Sequence, residues 1–345
     1  MATSKNAKIE FESGQTVVNY AAMTDSGDHM VHTISGGTVF SGKSGFEPIV
    51  RPNGIVTGRN VISTHASNDT VTVGAFTAYS AGVLYSVSAT TLVITRAVGN
   101  VAQIHSVTMN SAGVAVIVEG EDSATSALST VRGAAGGPPS IPADSVEVAQ
   151  IKVTTNTPAV ISADEIFQVV GTHAERFDYP TWIVNPIGDG DNATATAKKN
   201  AYIKFDSALP MIHGAVATDP ADLYKKVYIR YYSPTFVEVS KALDFTPAEN
   251  SHSVSSTQVY NGTVGSVSES LGQGGFVALM TDNVTDALLQ AQDSVVTIKH
   301  FPDRNKTAYT LTQGSLGVKR TFPVADQNRA TCTISAETKT AGFSS

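Results

Sequence analysis

Ala330-Thr331-Cys332-Thr333-Ile334-Ser335-Ala336 alternates apolar and polar side chains without a break, the pattern of a strand with one buried face. The segments before it keep the same period of two. Val296 and Ile298 oppose Thr297 and Lys299, and Pro302-Asp303-Arg304-Asn305 is built from turn residues. Tyr309 and Leu311 open a return strand, Gly314 and Gly317 bracket a further turn, and Val318 and Phe322 share a third strand. Ahead of these strands Val284, Ala287, Leu288 and Ala291 fall at i, i+3, i+4 and i+7, so the spacing predicts an α-helix, with Thr281 or Asp282 supplying the N-cap oxygen. Residues 281–337 therefore read as a sheet with one buried face and a helix beside it, and they hold no catalytic constellation.

The rest of the chain extends this reading. At 345 residues it is too long for one small core, and two domains are expected. Hydrophobic residues make up 41 % and charged residues 15 %, so a core can be buried beneath a lightly charged surface. Abundant Gly, Ser and Thr with few helical patterns point to a mainly β protein. A formal net charge of −7 argues against a nucleic-acid binder held by phosphate contacts, though not against a protein that lets nucleic acid pass. Cys332 is the only cysteine, so neither an internal disulfide nor a cysteine zinc site can form, and its place on an apolar strand face makes it a small core residue. The N-terminus lacks an apolar leader and no apolar run approaches a membrane span, so the expectation is a chain made in a cytoplasm, without membrane insertion.

Residues 1–55 are rich in polar turns, with a short strand expected at 30–34. Across 56–170 short strands are expected at 70–73, 83–87, 91–96, 104–109, 114–119 and 146–154, a spacing that suits a second small β-sandwich. Arg132-Gly133-Ala134-Ala135-Gly136-Gly137-Pro138-Pro139 is the most linker-like run in the chain. Further on, strands are expected at Tyr202–Phe205 and 227–232. The Ser- and Thr-rich segment 249–270 is either a long loop or exposed hairpins, and segments of that length in compact domains usually have a function.

Several motifs invite chemistry and fail on context. Gly37-Thr38-Val39-Phe40-Ser41-Gly42-Lys43-Ser44 matches a phosphate-binding loop literally, but Gly45, Pro48, Pro52 and Gly54 follow where a helix must start. His29 and His32 beside Asp28 lack a third metal ligand and a helical setting. Gly188-Asp189-Gly190-Asp191-Asn192 lacks the spacing of a calcium loop. No Gly-x-Ser-x-Gly elbow occurs, Asp164 and Glu165 read as solvated charges or a helix N-terminus, and Trp182 reads as a half-buried packing residue. No enzyme activity and no cofactor are expected.

The C-terminal region resembles the major tail tube proteins of long, flexible-tailed bacteriophages. The likeness is carried by Leu271-Gly272-Gln273-Gly274-Gly275-Phe276-Val277-Ala278-Leu279, Asp286 with Leu288 and Leu289, and Lys299-His300-Phe301-Pro302-Asp303-Arg304-Asn305. Thr312-Gln313-Gly314-Ser315-Leu316-Gly317-Val318 and the run 330–337 complete it. The resemblance implies a β-sandwich or partial barrel with one flanking α-helix, formed from residues 1–55 and 171–345. Six copies would close a ring, and rings would stack into a tube that conducts DNA without specific binding. The implied partners are further copies of the chain, a tape measure protein, and tail-tip or terminator proteins, and the implied location is the virion. The phrases 71–73, 92–96, 104–107, 141–145 and 165–167 are similar to β-modules of phage fibre and decoration proteins, which implies an extra domain over 56–170 on the tube exterior. A fibre, adhesin or capsid-decoration protein binding a cell-surface glycan is the alternative. Ring or stacking contacts are expected at Asp282, Asp286, Lys299, Asp303, Arg304, Asn305, Lys319 and Arg320. Lys299, Arg304, Lys306, Lys319 and Arg320 are expected to cluster in the hairpins and to pair with Asp282, Asp286, Asp293 and Asp326 of neighbouring copies. A bore that passes DNA is expected to carry more Asp, Glu, Ser and Thr than Lys and Arg.

Overall fold

The computed structural model describes residues 6–34, 39–58, 61–99, 101–125, 127–168, 181–186, 201–209, 225–280 and 286–343. The fold is mainly β: of the described residues 54 % are strand and 3 % helical, arranged in several antiparallel sheets.

The largest sheet has nine strands. Its order is Ala242–Thr246, Gly274–Leu279, Arg329–Ala336, Tyr309–Thr321, Val295–Phe301, Lys8–Ala22, Val227–Glu238 and Ile49–Pro52, with Ala341–Phe343 added beside Tyr309–Thr321. The sheet curls on itself, for the Phe245 ring of the edge strand stacks on His300, four strands away in that order, at 4.3 Å and 13°. The result is a partial barrel whose interior holds Ile9, Phe11, Phe276, Val296, Ile298, Leu316, Cys332 and Ile334. Ala330, Cys332, Ile334 and Ala336 are buried and alternate with exposed Thr331, Thr333 and Ser335, as the sequence pattern requires. At its other end the long strand pair packs on a four-stranded sheet, Trp182–Asn185, Tyr202–Phe205, Val31–Thr33 and Thr24–Asp25, around Phe40, Ile203, Phe205, Ile229 and Tyr231.

Four sequence expectations need correction. The helix is a single turn, Ala287–Gln290, because Asp293 takes a left-handed conformation (φ 62°) and the Ser294 hydroxyl caps the Ala291 carbonyl at 2.6 Å. Thr281, Asp282 and Val284 lie outside the described residues. Gly314 and Gly317 do not bracket a turn: Tyr309–Thr321 is one strand, and Phe322 lies beyond its end, 57 % exposed. The glycines serve close approach instead, since a Cβ on Gly314 would sit 2.4 Å from the Ser335 carbonyl oxygen and one on Gly317 2.6 Å from Thr333 Oγ1. Residues 8–22 are not polar turns but a fifteen-residue strand. Beyond Gly14 its side chains are exposed or only half-buried, and bulges at Glu12/Gly14 and Val18/Ala21 break the alternation, so its composition imitates a loop.

The fourth correction lies in a module with a core of its own. Ile55, Val71, Phe76, Val107, Met109, Val148, Ile151 and Ile161 belong to an apolar cluster drawn only from residues between 55 and 166. Its sheets are Ile62–Thr64 with Thr70–Val73 and Thr90–Val93; Gly54–Thr57 with Phe76–Ser80 and Val83–Val87; and Gln103–Met109 with Ala115–Val118, Val146–Val153 and Ile166–Gln168. The Gly- and Pro-rich run 132–139 is no linker but a cover on the last of these sheets. Arg132 donates to the Pro139 carbonyl at 2.7 Å and ion-pairs with the fully buried Glu147 carboxylate, which also accepts from Ser106. Gly137 is pressed so closely that a Cβ would lie 2.2 Å from the Val131 carbonyl oxygen.

Module and barrel meet through a fixed polar joint. The Arg51 guanidinium lies over the rings of Tyr20 and Tyr79, at 4.4 and 4.7 Å, and donates to the Gly82 carbonyl at 2.8 Å. Asp144 Oδ1 accepts from Asn53 Nδ2 at 3.2 Å and from the Tyr228 hydroxyl, and Asn53 Oδ1 accepts from the Ala81 amide at 2.9 Å. Breaking a buried ion pair from one side strands the other charge. Arg132→Ala is therefore expected to lower stability by about 3–5 kcal/mol and to open residues 132–139 to protease, read by urea denaturation and by cleavage mapping.

Candidate functional site

The feature that distinguishes this surface is the hairpin Asn250–Val259 and Gly262–Leu271, paired in register from Asn250↔Leu271 to Val259↔Gly262. Its base is anchored. Ala248 is fully buried and exchanges backbone and side-chain hydrogen bonds with Thr340 at 2.7 and 2.9 Å, and the Gly272 amide closes onto the Glu249 carbonyl at 2.8 Å. Above the base every residue from 250 to 270 is exposed. Ten residues per strand project roughly 33 Å at strand rise. One face carries a serine ladder, with Ser251–Ser270, Ser253–Ser268 and Ser255–Ser266 hydroxyl contacts of 2.9, 2.6 and 2.7 Å. The other face carries the Val254–Val267 and His252–Glu269 pairs, and Tyr260 stands fully exposed at the tip. A two-stranded ribbon with neither face covered is marginal in water.

The lateral edges of the large sheet are closed to that purpose. Ala242–Thr246 carries a bulge between Leu243 and Thr246, with Lys241 and Asp244 in left-handed conformations, and folds its Phe245 onto His300. At the opposite edge Ile49–Pro52 lies against Phe76–Ser80 of the 55–166 module, with Arg51 engaged in the joint. Bulges and covering elements are how edge strands are kept from pairing.

The residues expected at contacts separate into two groups. Lys299, Asp303, Arg304 and Asn305 gather at one end of the barrel, beside a cleft of about 610 Å³ lined by Lys8, Glu238, Phe245 and His300. Arg304 ion-pairs there with Glu238 at 3.1 Å, and the Asp303 carboxylate accepts from the Asn305 amide at 3.1 Å. Lys299 lies over the rings of Phe236 and Tyr309 at 4.0 and 4.8 Å, and burial holds its amine below the usual lysine range. Lys319 and Arg320 are exposed at the far end of the same sheet, opposite Thr331 and Ala330. Lys299 faces Leu311 in the register, so Lys319 lies eight positions further along the strand, roughly 26 Å away. The five basic residues thus form no single cluster, because a continuous strand separates residues that a turn at Gly314–Gly317 would have brought together. Asp286 starts the one-turn helix, its carbonyl accepting from Leu289 and Gln290, and Asp282 lies outside the described residues.

The chemical motifs find no site around them. Gly42 packs on Gln313, where a Cβ would meet Nε2 at 2.4 Å, and Gly45 leads into the strand Ile49–Pro52 where a phosphate loop needs a helix. His29 bonds Asp25 at 2.5 Å while His32 is buried edge-on to Phe205, and among the described residues no three His, Cys, Asp or Glu converge on one point. Glu165 caps its own turn, accepting from the Ser162 amide at 2.8 Å. Trp182 is 41 % exposed and packs edge-on to Phe205 at 5.9 Å. Gly188–Asn192 lies outside the described residues. No helix among the described residues is long and apolar enough to cross a membrane. Comparison with protein-family models, with curated proteins and with solved structures finds no match.

Sequence reasoning found the polar segment but neither the closed edges nor the Arg51–Asp144 joint, whose partners lie as far as 91 residues apart in the Asn53–Asp144 contact. Cys332 is 1 % exposed, and burial pushes its thiol up to about 12. It should therefore resist an aromatic disulfide reagent at pH 8 in the folded protein and react fully once guanidinium unfolds it.

Proposed function

We propose that this chain is a structural, self-assembling protein whose copies join through the projecting hairpin, and that the assembly is a stack of six-membered rings forming a phage tail tube. The observation that carries the reading is the combination of a long, wholly exposed β-ribbon with a main sheet whose edges are already closed. A copy can complete its ribbon only by pairing the two ribbon edges with those of neighbours, and a closed circle of such ribbons leaves no edge over. The sequence resemblance supplies the number six and the stacking.

The composition of the ribbon supports a conduit. Residues 250–271 contain no Lys or Arg, and their only acidic side chain is Glu269. A bore lined by Ser, Thr, Val and Gln gives DNA phosphates no cation to release counterions against, so the duplex slides. In this reading residues 1–55 and 171–345 form the ring, while the 56–170 region sits outside it, its orientation set by the Arg51 and Asp144 contacts. The protein acts without a cofactor and performs no catalysis. Its remaining partners are the proteins that start, measure and end the tube.

The test is to compare the 345-residue chain with a variant in which residues 250–271 are replaced by Gly-Gly, a short bridge suited to the Glu249–Gly272 closure. Sedimentation and negative-stain electron microscopy at high concentration should show rings or tubes for the parent. The variant should stay a folded monomer with an unchanged unfolding transition. Tubes formed equally by both chains, or trimeric spikes formed by the parent, would overturn the reading.

A further inference from the structure

His105 is the most isolated polar side chain in the described structure. It lies on the strand Gln103–Met109, opposite Ile151, with 0 % exposure. Its face of the strand continues into Val107 and Met109, which belong with Ile151 to the apolar cluster of the 55–166 module. Neither ring nitrogen has a hydrogen-bond partner among the described residues. A buried polar group left unpaired is costly, and a buried unpaired charge much more so.

Few charges reach this ring, and no carboxylate among them is hydrogen-bonded to it. Glu119 and Asp122 follow the strand Ala115–Val118, and Arg96 follows Thr90–Val93. Asp122 accepts a hydrogen bond from Gln103, and Arg96 is paired with Asp69. On the neighbouring strand Val146–Val153 the buried carboxylate is Glu147, which bonds Ser106 on the opposite face and is neutralised by Arg132. A protonated His105 would feel Glu119 and Asp122 only at a distance, with no hydrogen-bonded counter-ion, and burial outweighs that attraction.

We propose that the 55–166 module is opened by acid, with His105 as the trigger. Burial pushes the imidazole below its ordinary value. The opened chain takes up a proton as pH falls through about 6.5, whereas the closed module does so only at lower pH. Closure is favoured fully above that value and loses ground steadily below it. Each pH unit lowers the closed-to-open ratio by up to about tenfold, so by pH 4.5 His105 alone accounts for a factor of up to roughly 100. Opening would bare Val107, Met109, Ile151 and their neighbours, turning a neutral-pH surface into an apolar one. His32 and His300 are shifted in the same direction by burial, but they lie on the four-stranded sheet and in the barrel cleft, so their effects can be separated by substitution.

The test uses the 345-residue chain and His105→Leu, which fits the same apolar cluster. Urea unfolding is followed at pH 7.0 and 4.5, with cleavage mapping to report the 55–166 region. The parent module should lose up to about 100-fold more of its closed-to-open ratio on acidification than the variant. Equal losses in both chains would overturn the proposal. Should the variant fail to fold, the imidazole carbon shifts of the parent decide by NMR. A His105 resonance unmoved down to pH 5 in the folded protein supports the trigger, and one that titrates near 6.5 while the module stays closed removes it.

Discussion

The pairing of Lys8–Ala22 with Val227–Glu238 is the constraint on which the rest of the architecture hangs. These two strands share a register from Glu10↔Glu238 to Ala22↔Tyr228. At one end Ile9 and Phe11 enter the barrel interior; at the other Val18, Ala21, Ile229 and Tyr231 form the floor of the sandwich with Phe205 and Ile203. A single strand pair therefore serves two cores, and the bulges along it supply the change of twist that lets one end curl while the other stays open. Pro234 is tolerated because Ile49–Pro52 covers only residues 227–230 of its strand, which leaves that side of Pro234 without a ladder to interrupt.

From this pairing follows the way the molecule handles its edges. Val227–Glu238 turns directly into Ala242–Thr246, and the Phe245–His300 stack then draws that edge over the barrel seam. Ile49–Pro52, added on the other flank, passes through Asn53 into the 55–166 module, which masks it. Between Ala242–Thr246 and Gly274–Leu279, two strands that are themselves neighbours in the large sheet, the hairpin stands open. The ribbon is thus an outgrowth of an adjacent pair, held at its root by Ala248 and Thr340, and its length can vary without strain on the barrel.

What the sequence disclosed depended on whether burial followed the local pattern. Arg329–Ala336 was legible because one face is fully buried and the other fully solvated, whereas Thr70–Val73 and Val146–Val153, buried on nearly every position, were legible as short runs rich in β-branched residues. Lys8–Ala22 was hidden because backbone pairing, not side-chain burial, makes it a strand past Gly14. Gly314 and Gly317 misled because glycine marks both turns and close backbone contact, and only the partner strand distinguishes the two. The run 132–139 has a linker's composition, yet one long-range ion pair, Arg132 to Glu147, decides its fate. For the candidate site the exposed segment could be named in advance, whereas the closing of the large sheet's edges rests on contacts between residues distant in the chain.

The register Lys8↔Phe301 to Phe11↔Ile298 also sets an order of events on the ribosome. The barrel cannot begin to close until its fifth and sixth strands coexist, and Lys8–Ala22 and Val295–Phe301 are far apart in the sequence. During synthesis the 55–166 module, whose core is drawn from a contiguous stretch, can settle early, while Lys8–Ala22 waits for Val227–Glu238 and then for Val295–Phe301. The half-exposed, interrupted character of residues 13–22 suits that wait, since a uniformly apolar strand held open would invite aggregation.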